Sequence, residues 1–456
     1  MPRRNAILLL LAALVAYACY VRAEQNPYAR YLAAGFSIID KWALYNEPNP
    51  RQFDQQLYAS AMEQMVEVLR ERGDEHSMFV PAADKDRYRE VLTQEFVGIG
   101  IRFHLLGEPQ LPTVLGPPEI DSPAAEAGLE SGDRLVKIDG HATAGLDNDA
   151  VAALVRGPQG TTVHLTIERR GVPDHLEIDV ERSLIVTNSV NGLQRLADGG
   201  WGYRLAELPG AAYVHVTKFG DKTLAELEEL LATLSASPEG LTGLIIDLRG
   251  NGGGTLDAAV GISDLFLRAG LPIVEIRGRG GEIEDRFVSS GAGDYADLPL
   301  VVLIDQDSAS ASEILAACLQ DYKRADIVGS RSYGKGTVQR VMRLEGGRSL
   351  LKLTAATYWR PNGKNIHRMP DDLPEDEWGV SPSPGCEVRL DDDQLLAWLH
   401  YRLREATIGA ADAPQLAADL DAVELTVPPN YVDRALQLAI ERLAVRITAA
   451  ASPAAK

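Results

Sequence analysis

The spacing of apolar residues changes period along this chain, and each change marks a new kind of element. Between residues 28 and 94, Phe53, Leu57, Ala61, Met62, Met65, Val66 and Leu69 recur every three or four positions, which predicts a helical segment whose methionines face a core. From Phe96 to about Arg182 the helical period gives way to short apolar runs punctuated by glycine, so a β-rich domain is expected there. Residues 211–216 then alternate as a strand, 224–234 have helical spacing, and 244–249 form an apolar run broken by Gly250-Asn251-Gly252-Gly253-Gly254. A second apolar run at 300–304 is short enough for a buried strand, and Ile314, Leu315, Cys318 and Leu319 follow with helical spacing. Residues 349–359 read as a further strand. Strands alternating with helices predict an α/β core with at least partly parallel pairing. An amphipathic helix at 394–403, a linker-like stretch at 409–419 and a disordered tail at 449–456 complete the pattern. The segments expected are a leader at 1–23, a helical segment at 24–94, a β-rich domain at 95–183, the α/β core at 184–408 and a C-terminal helical segment with its tail at 409–456.

The leader has Arg3 and Arg4, an apolar run from Ala6 to Val21, then Arg22. That is the pattern of a secretory signal or a signal anchor. Ala16-Tyr17-Ala18 suits cleavage, whereas Tyr20 and Val21 prolong the run and suit retention in the membrane. Either way the arginines face the cytoplasm and the rest is exported, to a bacterial-type periplasm or cell envelope. A net charge of −20 repels phosphate, which disfavours nucleic acid and anionic surfaces as partners for the bulk of the chain. Three cysteines, Cys19, Cys318 and Cys386, are too few and too scattered for a disulfide framework or a zinc cluster, and Cys318 is expected in the core. No HExxH and no GxSxG occurs, so a metalloenzyme or an ordinary Ser-His-Asp hydrolase is disfavoured.

The chemistry concentrates between Leu298 and Val341. Ser310 followed three residues later by Glu313 is a capping-box pattern that puts Ser310 or Ser312 at a helix N-terminus. A hydroxyl attacking a carbonyl from that position finds its oxyanion stabilised by the N–H of Ala311 and by the helix dipole. A base is then needed, and Lys335, between Gly334 and Gly336, is the best candidate, because desolvation disfavours the charged amine and frees it to take the serine proton. Gln339 would orient that amine.

Ser310 in SASASE, Lys335 in YGKG and Gln339 four residues on resemble the Ser-Lys-Gln centre of the carboxy-terminal processing (tail-specific) peptidases, in the same order and spacing. Asp74-Glu75-His76-Ser77, Asp247-Leu248-Arg249 with Asn251 and Gly253-Gly254, the RPNGKNI of residues 360–366 and Gly379-Val380-Ser381-Pro382 are similar to further segments of that family. Gly98-Ile99-Gly100-Ile101, Ser122-Pro123-Ala124, Gly132-Asp133, Ile138-Asp139-Gly140 and Arg156-Gly157-Pro158 resemble a PDZ domain, with Gly98, Ile99, Gly100 and Ile101 as its carboxylate-binding loop. Glycines there let successive N–H groups converge on a terminal carboxylate. The resemblance implies a ClpP/crotonase-like mixed sheet with helices, an inserted PDZ domain and an N-terminal helical segment. It also implies a serine endopeptidase acting on proteins with exposed apolar C-termini, with Gly254 as second oxyanion donor and no cofactor; an oligomer is compatible with it. Residues 369–378, with five acids and two prolines, depart from the family as a longer, exposed loop. Arg156 is a candidate for holding the PDZ domain in one of two arrangements.

Overall fold

The computed structural model describes residues 13–14, 26–44, 49–406 and 431–451, apart from 94, 108, 116–117, 119–121, 197–199, 292, 370 and 374. The leader, save Ala13 and Leu14, and the 409–419 linker lie outside the described residues. Among those described, no helix is long and apolar enough to cross a membrane. The chain divides into two units, one made of residues up to Ala82 with Val341–Leu353 and the other of the remainder.

In the first unit, α1 (Pro27–Trp42) and α2 (Pro50–Arg70) both begin on proline, whose missing N–H costs nothing at a helix start, and Asn26 accepts from Tyr28 N–H at 3.0 Å. The helical period does not run through to residue 94. Asp74 takes the N–H groups of His76 and Ser77 (3.2 and 3.1 Å) and turns the chain into a short strand, β1 (Met78–Val80), paired antiparallel with residues 350–352. A carboxylate two and three residues before its donors offers the backbone a turn in place of another helical bond.

The second unit begins with α3 (Lys85–Thr93) and β2 (Glu95–Gly98), and then a β-rich domain: β3 (Phe103–Leu106), β4 (Leu111–Val114), α4 (Pro123–Glu126), β5 (Arg134–Ile138), β6 (His141–Ala142), α5 (Asn148–Val155), β7 (Thr162–Glu168) and β8 (Leu176–Glu181). Its sheet runs in the order β3-β4-β5-β7-β8, with β6 on β5, so β3 is an edge strand. Ser122 and Asp147 cap α4 and α5 through Ala125 N–H (3.3 Å) and Ala150 N–H (2.8 Å). Val151 and Val155, one helical turn apart, press α5 onto Leu135, Val163, Leu165 and Ile167 of the sheet. β9 (Ser183–Val186) pairs antiparallel with β2, so the chain enters and leaves this domain side by side.

Beyond it lie β10 (Val190–Asn191), a hairpin of β11 (Gln194–Arg195) and β12 (Trp201–Gly202), β13 (Ala211–Val216), α6 (Thr223–Ala236), β14 (Gly243–Asp247), α7 (Leu256–Leu265), β15 (Pro272–Gly278), β16 (Ile283–Val288), β17 (Leu300–Ile304), α8 (Ala311–Asp321), β18 (Ala325–Gly329), β19 (Thr337–Leu344), β20 (Ser349–Trp359), α9 (Asp392–Ala406) and α10 (Arg434–Ala451). The central sheet has the order β10-β13-β14-β17-β18; β10 is antiparallel and the other pairs are parallel. Leu244, Ile246, Val302 and Ile304 face α6, α7 and α8, whereas Ile245, Val301 and Leu303 face Ala435, Ala439 and Leu443 of α10. Helices cover both faces, which is why these strands read as unbroken apolar runs rather than alternating ones. β15 pairs with β16 and with the later half of β20, both antiparallel. The core is therefore a mixed α/β fold with an inserted PDZ-like domain, and Cys318 lies fully inside it.

A buried ion network ties α10 to the end of β14. Arg249 donates to both Asp247 oxygens and, at 3.0 and 2.8 Å, to both oxygens of Asp433, and stacks over Trp398 at 4.7 Å. Burial opposes ionisation of Asp247, but the Arg249 guanidinium and the Tyr213 hydroxyl (2.7 Å) overcome it and hold the carboxyl at about 2. Asp433→Ala leaves the guanidinium buried with half of its countercharge, and is expected to cost about 3 kcal/mol of stability, read as a lowered Tm.

Candidate active site

The turn that carries Ser310 is fixed before α8 begins. Gly250 N–H donates to both oxygens of Asp305 (3.0 Å each), and Ser308 Oγ donates to Leu248 O at 2.8 Å, so the loops after β14 and β17 are bound to each other. Asn251 extends the link. Its carbonyl accepts from Ala309 N–H (3.0 Å) and Ser312 Oγ (2.8 Å), while its side chain donates to Val216 O and accepts from Gly253 N–H (2.7 and 2.8 Å). Ser310 is the N-cap of α8, with φ 55° and ψ −111°. A non-glycine residue at that φ costs about 1–3 kcal/mol and persists only where its surroundings impose it.

Ala311 N–H, the first free donor of α8, is donated to no described residue. Gly253 lies against it: at φ +98°, a Cβ placed there would come within 2.9 Å of both Ala311 N and Ser310 Cβ. Only glycine can pass so close. The next residue, Gly254, bridges Phe219 in parallel fashion, with Phe219 N–H donating to Gly253 O (3.0 Å) and Thr255 N–H to Phe219 O (2.7 Å). The N–H of Gly254 itself is donated to no described residue. Ser310, Ala311 and Gly254 are thus brought into one neighbourhood.

Glu313 joins the serine turn to the lysine loop. Its Oε2 accepts from Ser310 N–H and Lys335 N–H, both at 2.8 Å, so the two backbone nitrogens are separated by no more than a pair of hydrogen bonds. Its Oε1 accepts from Ser332 Oγ (2.5 Å) and Gly334 N–H (2.7 Å). All four partners are donors, which an ionised carboxylate can satisfy in full. Burial is the stronger influence on its charge and pushes the carboxyl up to about 7, against the pull of those hydrogen bonds. The sequence shows Glu313 only as half of a cap; its partners 19 to 22 residues downstream carry no local signal.

Lys335 is partly buried. Gln339, on β19, donates its amide N–H groups to Thr337 Oγ1 (2.9 Å) and O (3.2 Å) and lies 3.5 Å from Thr354 Oγ1. The Thr337 carbonyl, which can only accept, fixes which end of the carboxamide is nitrogen. Tyr358, which no sequence pattern singles out, donates its backbone N–H to Gly336 O on the lysine loop at 2.7 Å. The acidic loop is exposed as expected, but its end is not loose: Trp378 is stacked between Arg331 and Arg368, each at 4.6 Å, and lies against Gly334. Among the described residues no cluster of His, Cys, Asp or Glu could hold a metal ion.

In the PDZ-like domain the glycine loop leads from β2 to the edge strand β3. Ile99 is buried in the domain core, its carbonyl accepting from Ala124 N–H at 2.9 Å. Gly100 has φ +85°, and a Cβ there would lie 2.3 Å from Ser122 Cβ. No described residue accepts from the N–H groups of Gly100 and Ile101. Gly98 is the last residue of β2 and pairs with Ser183. Arg156, exposed at the end of α5, pairs with Glu90 at 3.2 Å and stacks over Phe96 at 5.3 Å.

A model of peptidase family S41 matches residues 210–375, and a PDZ-domain model matches residues 117–169. The chain is 37% identical over 382 residues to the carboxy-terminal-processing protease of Bartonella bacilliformis, covering 82% of this chain and 81% of that one. It is 29% identical over 335 residues to the carboxy-terminal processing protease CtpA of Bacillus subtilis, covering 74% and 65%. Among solved structures, a photosystem II D1 C-terminal processing protease aligns at 26% identity with a TM-score of 0.42, over 80% of this chain and 93% of that one. Fold and site define a serine peptidase with an inserted PDZ domain. The chain belongs to peptidase family S41.

Proposed function

We propose that this peptidase is an exported endopeptidase that takes hold of protein C-termini through its PDZ domain and cuts them with a Ser-Lys centre. Ser310 attacks, neutral Lys335 takes its proton and later returns it to the leaving amine, and Gln339 Oε1 positions the lysine. Ala311 and Gly254 supply the oxyanion N–H groups. The observation that carries this reading is the Glu313 carboxylate, which receives the N–H of Ser310 and of Lys335 on one oxygen and so holds nucleophile and base together. Support for tail capture comes from β3, an edge strand among the described strands, and from the N–H groups of Gly100 and Ile101 just before it, which no described residue accepts. Export, and retention at the envelope if the leader stays as an anchor, rests on the arginines and apolar run of that segment.

The test is hydrolysis of an unfolded protein ending in an apolar carboxylate, by the wild-type chain beside Ser310→Ala. Loss of all cleavage in the variant at an unchanged Tm is expected; cleavage by Ser310→Ala refutes the assignment. Gly100→Val adds a Cβ where Ser122 already stands, and is expected to lower kcat/KM about tenfold or more for that substrate. The same variant should cut a C-terminally amidated substrate as wild type does, and an equal loss on both substrates would rule out tail recognition by this loop.

A further inference from the structure

We propose that the acidic loop at 369–378 is a strap on the lysine loop, and that Trp378 at its end is the positioning residue through which it sets Lys335. This rests on Lys335 being the base. The indole lies between the guanidinium groups of Arg331 and Arg368, each 4.6 Å from the ring. Arg331 stands four residues before the lysine, and Arg368 donates its backbone N–H to Gly334 O at 2.9 Å. Gly334 is buried at φ +88°, and a Cβ placed on it would lie 2.8 Å from Arg368 Cβ and 2.9 Å from Trp378 Cε3. The ring therefore packs on the residue that precedes Lys335, with no room for a side chain between them. Its Nε1 is buried and has no hydrogen-bond partner among the described residues, so the ring is held by its faces and not by its polar atom.

The acids shape the strap. Asp372 accepts from Met369 N–H (2.6 Å) and Asp376 from Leu373 N–H (2.7 Å), while the N–H of each aspartate returns to the carbonyl of the same partner (3.0 Å each). Two successive turns of one kind thus fold the loop from its own residues. The end that carries the indole is fastened. Arg331 Nη1 donates to Asp376 O (3.1 Å) and Lys364 Nζ to Glu377 Oε2 (2.5 Å), and just past Trp378 the N–H of Gly379 goes to Ile366 O (2.8 Å) and that of Val380 to Ser332 Oγ (2.7 Å). Lys335 needs such a hold because the glycines on both sides of it leave the backbone free to turn. Glu313 fixes the N–H groups of Gly334 and Lys335, and the N–H groups of Arg368 and Tyr358 take the carbonyls of Gly334 and Gly336. Those bonds leave the side of Gly334 that has no Cβ, and Trp378 closes it.

Trp378→Ala in the full chain is expected to lower kcat on the order of 10²-fold with KM little changed, the effect of a displacement of about 1 Å between reacting groups. Trp378→Phe keeps a ring for the two guanidinium groups and should retain at least about a third of wild-type kcat. The rate at which a fluorophosphonate labels Ser310 separates a hold on the lysine from a general loosening. Trp378→Ala should slow labelling by a similar factor when Lys335 is present, and take nothing further from a chain that already has Lys335→Ala. Equal slowing in both backgrounds overturns the proposal, and so does a phenylalanine variant as slow as the alanine one, or wild-type kcat in Trp378→Ala at a native Tm. If the alanine variant is unfolded at the assay temperature, Arg331→Met combined with Arg368→Met decides, because it keeps the indole and removes both cations that clamp it. A kcat about tenfold down is expected there, and wild-type kcat contradicts the strap. A Lys335→Ala chain as active as wild type strikes down the Ser-Lys reading itself, whereas an inactive Lys335→Ala beside a fully active Trp378→Ala strikes down this inference alone.

Discussion

Lys335→Arg should leave peptide hydrolysis at least about 10⁴-fold below wild type, as far down as Lys335→Ala, while the Tm of both variants stays close to wild type. One variant carries a positive charge at this position and the other carries none, yet both lack a group that can accept a proton. A guanidinium does not deprotonate in a protein, so arginine cannot act as base. The loop does not need the side chain to keep its place, because Glu313 holds it through the Lys335 and Gly334 N–H groups and Gly336 O receives Tyr358 N–H. Steady-state hydrolysis beside thermal unfolding checks both halves. More than a tenth of wild-type kcat in Lys335→Arg would mean that lysine acts only as a charge and that the base lies elsewhere.

Glu313→Gln should cost on the order of 10²-fold in kcat, because it loosens the serine turn and the lysine loop together, and displacements of about 1 Å between reacting groups cost that much. A carboxamide turns an N–H₂ group toward either Ser310 and Lys335 or Ser332 and Gly334, all of them donors. The same geometry gives a pH test. The folded-state pKa of Glu313, about 7, lies above the ordinary 4.5, so between those values the folded chain binds more protons at this site than the unfolded one. Its contribution to stability is therefore full below about 4.5 and is lost as pH rises through about 7. Activity runs the other way, since a protonated carboxyl can no longer accept from all four donors. As pH falls from 8 to 5, wild-type kcat should decline through about 7 while its Tm gains on that of Glu313→Gln. A Tm difference between the two that does not vary with pH would show that Glu313 does not titrate in this range.

The sequence made the α/β core and the inserted domain legible because their signals are local. Runs such as 300–304 and 349–359 coincide with β17 and β20, and the glycines of the 98–101 loop announce a turn at the head of an edge strand. Ser310 and Lys335 stand out as candidates for chemistry because a cap and a glycine-flanked lysine are short patterns. The residues that hold them together were not. Glu313 and Asn251 act across 22 and 61 positions in the chain, on Lys335 and Ser312, and no periodicity encodes a contact at that range. The helical period through residues 28–94 also missed β1, since Asp74 redirects the backbone by a side-chain hydrogen bond that apolar spacing does not register.

The ion network under β14 sets an order in time. A chain made as far as residue 406 already contains Ser310, Lys335, Glu313, Asn251 and both glycines beside the nucleophile, yet the second carboxylate on Arg249 comes from a residue 184 positions later than the arginine. Until Asp433 arrives with α10, Ile245, Val301 and Leu303 lack the part of their cover that Ala435, Ala439 and Leu443 supply, and the strand end leading into the Asn251-Gly253 turn has a buried guanidinium with half its partners missing. A ribosome-bound or truncated polypeptide would thus have every residue proposed for catalysis but not the ion pair that joins the end of β14 to α10. The strand end beside the Ser310 turn thus reaches its full ion pairing only once α10, the last described helix, has docked.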